Sequence, residues 1–456
     1  MSKNKTHLRN AGYSAFSLAF PLLLAVFLVP VTIRGLGAER FGLLALLWVI
    51  IRWTAAPAQG ITQSLIRNVS GAAADGGPVK AAELARAAFL LQIPAAALTA
   101  FLAHFLLRTM ASHLISIPPR LLPETNAAFS VFPYFIFLYL LTSAVSGFFE
   151  AAGKFRASAA IRVASESGYL LAGCLCAGLG LGLESFSLLI ASAQALIFAA
   201  ASLRLRILAP QVFTPAFPSA VAFRAITNFA MPASAYKFFG VLAEEADSLL
   251  LGVLSPLTAV AHYNVPRKIL KAIGTIASGI SIASFPVLSR LSVSDRRRFP
   301  EYLASALGAA LLLPGALYLA AGLTGRKIIS VWIGPEFAAA AAPLLLLMAP
   351  GALCQGLIYI LGGALQNLGS LNRLVAAQAG LAAIYLCLGF ALIPRYGIKG
   401  AALAWSFKSL AGLAVYLALC ARALRGQNMS FGAAQQWPAL LNALIGRAAS
   451  RAEGSA

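Results

Sequence analysis

Long apolar stretches separated by short polar segments occupy most of the chain between residues 11 and 419. A membrane-spanning helix needs about 20 mainly apolar residues in a row, and twelve stretches meet this requirement. The first six are residues 11–33, 41–63, 81–107, 127–149, 157–183 and 185–203. The second six are residues 226–254, 260–288, 302–323, 338–365, 374–393 and 398–419. The pattern predicts an all-α polytopic membrane protein with twelve transmembrane helices.

A weak internal repeat divides these spans into two groups of six. The segment 149–156 at the end of the fourth span resembles the segment 366–373 at the end of the tenth. The segment 36–42 likewise matches the region 254–264. Both matches are separated by close to half the chain. Because six spans per half is an even number, the halves are predicted to be pseudo-symmetric lobes related by an axis along the membrane normal.

The polar segments set the predicted domain boundaries. The N-terminal six-helix lobe covers residues 1–203, and the C-terminal six-helix lobe covers 225–420. Residues 204–224, which are Pro-rich and basic, form the predicted cytoplasmic linker between them. Residues 421–456 form a predicted cytoplasmic tail.

Composition supports the membrane class, and charge sets the orientation. Hydrophobic residues make up 60% of the chain and charged residues only 11%, whereas soluble domains carry about 25% charged residues. The net charge is +21, from 35 Lys and Arg against 14 Asp and Glu. Most Lys and Arg outside the spans lie on the side of the N-terminus, so both termini are predicted to be cytoplasmic. No basic soluble domain is present, and we expect no nucleic-acid partner.

Polar residues in the eighth span are the main candidate for function. Helical spacing places Asn264, Arg267, Lys268 and Lys271 on one stripe. Each cation costs about 2.5–3.5 kcal/mol at the centre of a membrane helix, so such a stripe normally faces a water-filled cavity or protein interior. A cationic cavity favours an anionic cargo. The alternative is a helix end whose long basic side chains reach interfacial phosphates.

The second span carries a related stripe. Arg52, Gln59 and Gln63 share one helical face, and by the repeat this span corresponds to the eighth. We therefore predict that both halves contribute cations and polar groups to one central cavity. The alternative for Arg52 is a lone residue satisfied by neighbouring carbonyl groups.

The seventh span contains both signs of charge. Lys237 precedes Glu244 by two helical turns, and Glu245 and Asp247 follow closely. Lys237 is a candidate for the cationic cavity. The three acids are candidates either for an ion-pair network with the eighth span or for binding H⁺ or Na⁺ and coupling it to transport.

Signals for an enzyme are missing from the sequence. It contains no P-loop, no nucleophile elbow and no paired loop carboxylates. None of the histidines has a second ligand at metal spacing. We therefore expect no catalytic residues, metal or cofactor, and active transport would need an ion gradient or the gradient of the cargo itself.

Several motifs carry a family resemblance that covers nearly the whole chain. Residues 13–42 run into LGAERFG, SLIRNVSG follows the second span, EAAGKFR follows the fourth, and ADSLLLGVLSPLTAVAHYNV ends the seventh. With these motifs the chain resembles bacterial oligosaccharide-lipid flippases of the multidrug/oligosaccharidyl-lipid/polysaccharide exporter superfamily. The two six-helix lobes of that family agree with the repeat.

The resemblance implies a cargo, a location and partners. The cargo would be a polyprenyl-diphosphate-linked O-antigen or capsule unit, carried from the inner to the outer leaflet of the bacterial cytoplasmic membrane by alternating access. Membrane lipids and polysaccharide-assembly proteins would be its other partners. Asp247 falls on an acidic position that is frequent in the family.

Four other functions are alternatives. Peptidoglycan-precursor flippases of the same superfamily usually have more than twelve spans, and multidrug antiporters that bind organic cations would favour an acidic cavity. A polysaccharide polymerase or ligase would need a large outer loop with catalytic residues, which this chain lacks. A membrane scaffold that transports nothing would not need buried cations.

Overall fold

Ten α-helices make up most of the computed structural model, which describes residues 2–75, 77–109, 117–294, 296–368 and 371–426. The first five helices are α1 (Ser2–Asp75), α2 (Gly77–Thr109), α3 (Leu122–Ala151), α4 (Phe155–Leu179) and α5 (Leu183–Leu208). The other five are α6 (Ala220–Leu254), α7 (Leu257–Ser294), α8 (Arg298–Trp332), α9 (Pro335–Asn367) and α10 (Leu371–Gly426). These residues contain no β-strand. Most of the predicted tail, from residue 427 onward, lies outside the described residues.

Two of the helices are much longer than one membrane span and are interrupted at a glycine. In α1 the interruption is Gly37, with φ 81° and ψ 162°, and in α10 it is Gly397, with φ 55° and ψ −132°. Residues with a Cβ rarely adopt such positive φ angles, so glycine is the residue that allows the chain to turn here. The predicted loops around residues 34–40 and 394–397 are therefore shorter than expected, with helix continuing up to the glycine.

Eight stretches in the described residues are long and apolar enough to cross a membrane. Two of them, Ala19–Ala72 and Asn372–Gly426, contain 54 and 55 residues, which exceeds twice the length of about 20 residues needed for one crossing. Large apolar side chains such as Phe101, Leu196 and Leu323 point outward. Such extensive apolar exposure is unusual for a soluble protein and suits a lipid-facing surface.

The segment between the halves is shorter than predicted because helix α5 continues to Leu208. A short 3₁₀ helix, Pro210–Phe213, follows. Helix α6 begins at Ala220, where the Ser219 hydroxyl accepts a hydrogen bond from the N–H of Ala222 at 3.3 Å. The prolines in this segment lack a backbone N–H, so they prevent α5 and α6 from joining.

Helix α1 connects the two halves of the molecule. It packs against α2, α3 and α4 of its own half and against α6 and α7 of the other half. In the second half, α9 packs against α7, α8 and α10. The largest apolar core contains buried residues from both halves, including Ile50, Phe132, Leu251 and Leu345. The halves are therefore held together by apolar packing as well as by the polar groups described next.

Candidate functional site

A cavity of about 1160 Å³ lies between α1 and α4 of the first half and α6, α7 and α8 of the second. Its uncharged lining is mostly apolar and includes Val26, Leu44 and Trp48. Six basic residues line it, namely Arg34, Arg52, Arg267, Lys268, Lys271 and Lys327. Only two acidic residues do so, Glu166 and Glu245. The cavity thus combines an excess of basic groups with an apolar wall.

The stripe predicted on the eighth span lies on α7, and all four of its residues line this cavity. Their exposure differs, because Arg267 is buried whereas the Lys271 side chain is 47% exposed. The Asn264 amide nitrogen donates to the Val260 carbonyl oxygen at 2.9 Å, which fixes this side chain against its own helix. Arg52 of α1 lines the same cavity, so basic residues from both halves meet there.

Glu245 is the carboxylate on which these cations converge. It lies 2.6 Å from Arg267, 3.4 Å from Arg52 and 3.4 Å from Lys271. The residue is only 5% exposed. A buried carboxylate is tolerated when nearby cations and hydrogen bonds compensate its lost hydration, and three cations surround this one. Glu245 therefore joins α1, α6 and α7.

Glu244, the preceding residue, extends the network. Its carboxylate lies 3.4 Å from the Arg52 guanidinium and accepts a hydrogen bond from the Tyr359 hydroxyl of α9 at 3.1 Å. Its backbone carbonyl accepts a hydrogen bond from Arg267. Arg52 thus contacts two adjacent carboxylates of α6, which links the first half of the chain to the second.

Asp247 is the most deeply buried acid of the three, at 1% exposed. Its carboxylate accepts hydrogen bonds from the Tyr263 hydroxyl and, at 2.7 Å, from the backbone N–H of Ser248. The Arg267 guanidinium lies 3.4 Å away. These contacts place Asp247 between α6 and α7 in the ion-pair network, and it does not line the cavity.

Lys268 and Lys327 differ from the other cavity cations. Within the described part of the chain, neither has a carboxylate within ion-pair distance. The Lys268 ammonium lies 5.0 Å from the centroid of the Phe41 ring, a distance that allows a cation–π contact. Neither ammonium group is therefore paired directly with a carboxylate of the described residues.

Three of the residues that were predicted to line a cavity, Gln59, Gln63 and Lys237, are not among the residues that line this one. Gln59 and Gln63 lie roughly 10 and 16 Å beyond Arg52 along α1, at 1.5 Å per residue. There α1 packs tightly on α6, with the Ser64 hydroxyl donating to the Ile226 carbonyl oxygen at 2.7 Å. Lys237 lies seven residues before Glu244 on α6, and α6 contributes only Glu245 to the lining among the described residues.

Three charged residues of the cavity were not among the predicted site residues: Arg34, Lys327 and Glu166. Arg34 and Lys327 fell in predicted loops outside the spans. The structure instead continues α1 to Gly37 and α8 to Trp332, so both residues lie on helices. Arg34 donates to the carbonyl oxygens of Ile333 and Trp332 at 3.3 and 3.4 Å. Arg34 and Lys327 each closely follow a long apolar run in the sequence, which could have indicated that the helix continues to include them.

The described residues contain no group of three or more His, Cys, Asp or Glu side chains that could hold a metal ion. What the cavity offers chemically is a set of hydrogen-bond donors and positive charges. Such a set can bind an anionic group and replace part of its hydration.

Comparisons with known proteins agree on the family and the fold. The family model described as "Polysaccharide biosynthesis protein" matches residues 7–292. A Shigella flexneri protein named "Putative O-antigen transporter" is 21% identical over 418 residues, which covers 88% of this chain and 94% of that protein.

Solved structures resemble this one at low sequence identity. An inward-facing multidrug resistance transporter of the MATE family matches with a TM-score of 0.76 and 12% identity, covering 90% of this chain and 96% of its own. The inward closed form of the lipid II flippase MurJ matches with a TM-score of 0.72 and 14% identity, covering 89% and 86%. These likenesses show that the chain has the fold of these transporters.

Proposed function

This chain belongs to the polysaccharide biosynthesis protein family, and from that premise we propose that it moves a lipid-linked anionic oligosaccharide across the bacterial cytoplasmic membrane. The cargo is a polyprenyl-diphosphate-linked sugar unit, carried from the inner to the outer leaflet. The similarity to the Shigella flexneri protein named "Putative O-antigen transporter" and the fold shared with the lipid II flippase MurJ support this proposal.

The excess of basic residues in the cavity is the observation that carries the proposal. Six basic and two acidic residues line it. Moving a diphosphate through hydrocarbon without compensation is very unfavourable, because an isolated charge loses tens of kcal/mol of hydration in a low dielectric medium. Basic groups in a shielded cavity offset this loss. The apolar wall then faces the lipid portion next to the diphosphate.

The cavity cations have different roles in this proposal. Arg52 and Arg267 are already paired with carboxylates, so they mainly hold α1, α6 and α7 together. Lys268 and Lys327 have no carboxylate within 4.0 Å among the described residues and bind the diphosphate. Lys271, which shares Glu245 with the two arginines and is half exposed, is the third contact.

The proposed topology has twelve spans in two six-helix lobes. Each long helix, α1 and α10, contributes two spans that meet at its glycine. Each of the other eight helices contributes one, including α4 and α6, which are not among the eight apolar stretches described above. Both termini are then cytoplasmic, in agreement with the distribution of Lys and Arg. Gly37 and the end of α8 lie on the outer side, so the cavity is in the outer half of the membrane.

Transport proceeds by alternating access between these lobes. The contacts of Arg34 with Trp332 and Ile333 join the lobes at the outer end of the cavity. They must break before the cargo can leave toward the outer leaflet. No residue of the site performs bond chemistry in this scheme, and the protein acts as a transporter rather than an enzyme.

A flipping assay tests the proposal directly. The protein is reconstituted in vesicles with a fluorescent polyprenyl-diphosphate oligosaccharide, and its appearance in the opposite leaflet is followed with a membrane-impermeant quencher. The double variant Lys268→Gln/Lys327→Gln should slow flipping about tenfold or more, since hydrogen bonds to charged groups contribute about 1.5–3 kcal/mol each.

The matched control is Arg326→Gln/Lys399→Gln, which removes the same charge from exposed positions that do not line the cavity. This control should flip at the parental rate. Equal rates for both double variants would contradict the binding role of Lys268 and Lys327. In cells, loss of the protein should trap single lipid-linked units on the cytoplasmic leaflet, whereas loss of a polymerase would leave them translocated but unjoined.

A further inference from the structure

A second, much smaller polar pocket lies away from the cavity, between α6, α9 and α10. Its polar lining consists of Glu244, Gln355, Gln378 and Lys408. The free space is about 10 Å³, close to the minimum of roughly 10–15 Å³ that a single water molecule needs. The pocket therefore has room for one water molecule between an amine and a carboxylate.

Lys408 is a buried amine with unusual neighbours. It is 2% exposed, and its Nζ lies 3.4 Å from the Gln355 side-chain oxygen. The rings of Tyr385 and Trp405 lie beneath it, with centroids at 5.3 and 5.7 Å. No carboxylate of the described residues lies within ion-pair distance of Lys408. The acid that lines the pocket together with Lys408 is Glu244.

Glu244 lies between Arg52 on one side and the pocket that contains Lys408 on the other. On one side Arg52 of the first half contacts its carboxylate at 3.4 Å, and on the other side is the pocket of Lys408. Tyr359 donates to it at 3.1 Å. Any movement that separates α1 from α6 removes Arg52 but leaves Lys408 in place, because α6 and α10 belong to the same half and pack together.

The ion-paired charges next to the pocket balance without Lys408. In the ion-paired network, Arg52, Arg267 and Lys271 match Glu244, Glu245 and Asp247 one for one. A protonated Lys408 adds an uncompensated charge in the interior, which is unfavourable. The groups that act electrostatically on Lys408 are Glu244, Glu245 and Asp247 of α6 and Arg267 of α7. Lys237 lies about two turns from Glu244 on α6 and outside the paired network.

We propose that Lys408 and Glu244 form a proton-exchange site that is controlled by Arg52. When Arg52 leaves Glu244, the Glu244 carboxylate has lost its paired cation. The Lys408 lone pair then binds one proton, which water delivers through the pocket, and restores the charge balance. When Arg52 returns, the Lys408 ammonium gives that proton back to water. One proton is thus bound and released for each separation and return of the halves. The inference rests on the proposed function only in that transport separates α1 from α6.

The first experiment needs no cargo. The purified protein carries ¹³Cε-labelled lysine, and the Lys408 resonance is identified by its absence in Lys408→Met. At one fixed pH, Arg52→Met should move this resonance toward the ammonium position relative to the parent. Arg52→Lys, which keeps a charge beside Glu244, and the double variant Arg52→Met/Glu244→Gln should both leave it near the parental position. An unchanged resonance in Arg52→Met would overturn the proposal.

The second experiment uses the flipping assay with an imposed pH gradient. Parental flipping should respond to the gradient, whereas Lys408→Arg and Lys408→Met should lose the response, because Arg stays charged and Met cannot bind a proton. A parental response in Lys408→Arg would show that only a fixed charge is needed and would overturn the proposal. If the parent flips no lipid-linked oligosaccharide, the proposed function fails, while the resonance experiment still decides the proton site.

Discussion

Glu245 shows how one side chain determines the electrostatics of the site. It lies within 3.4 Å of three cations from two helices, and it is nearly inaccessible to solvent. Without its charge, Arg267 would keep Asp247 as its one carboxylate partner among the described residues, and Lys271 would have none. Glu245 therefore contributes to the stability of the folded protein by pairing with these cations, whatever its role in transport.

Glu245→Gln should destabilise the folded protein by about 3–5 kcal/mol, since it leaves buried cations without their partner. The measurement is the thermal or denaturant unfolding of the detergent-solubilised protein. The control is Glu184→Gln at the exposed start of α5, where loss of a favourable helix-end charge costs about 0.3–1 kcal/mol. Similar stability of both variants would mean that Glu245 is not the centre of the network.

Residues of the site could be predicted from the sequence only where helical spacing is informative. The cations of α7 share a stripe because positions three and four apart lie on one face, and the structure has them lining one cavity. Their pairing could not be predicted in the same way. The contacts of Glu245 with Arg52 and Arg267 depend on how α1, α6 and α7 pack, and spacing within one helix carries no information about that.

At the scale of elements, the glycine of α1 determines where the helix turns. Gly37 has φ 81°, a value that is unfavourable for residues with a Cβ. Hydropathy predicts two spans here with a loop of seven residues between them, because residues 34–40 are more polar than their neighbours. Hydropathy does not show that the single residue Gly37 is enough for the turn. The helix therefore continues up to Gly37 in the structure, beyond the helix end predicted at residue 33.

Gly37→Ala should destabilise the protein by about 1–3 kcal/mol, the typical cost of backbone angles that essentially only glycine adopts. Gly71→Ala is the matched control in the same helix, since Gly71 has ordinary helical angles and open space around it. That control should be neutral or slightly stabilising, because alanine favours helix. The measurement is the midpoint of thermal or denaturant unfolding for each variant. Equal midpoints would show that the turn at Gly37 tolerates a side chain.

At the scale of the whole molecule, the two halves meet through α1 and through contacts at the end of the cavity. Arg34 donates to Trp332 and Ile333, and the Trp332 indole nitrogen donates to the Val26 carbonyl oxygen at 2.5 Å. In the proposed topology these contacts keep the outer end closed. The internal repeat predicts two similar halves, but it contains no information on which residues join them.

Arg34→Ala should open the outer end of the cavity more often. In a variant whose five native cysteines are serine, a cysteine introduced at Val29, which lines the cavity, should react faster with a membrane-impermeant maleimide added from outside. Arg40→Ala is the control, because Arg40 pairs at 2.8 Å with Glu124 of its own half. If both variants react at the same rate, the Arg34 contacts do not control opening.

Under the proposed function, the size of the cavity has a consequence for the range of glycans that the protein accepts. A volume of about 1160 Å³ is only slightly larger than the roughly 300–1,000 Å³ typical of small-molecule pockets. A branched glycan of several sugars would extend beyond it into water, so recognition would be limited to the diphosphate and the first sugars. Lipid-linked glycans that differ only at their far ends should therefore be flipped at similar rates, and bacterial strains could diversify their surface polysaccharides without changing this protein.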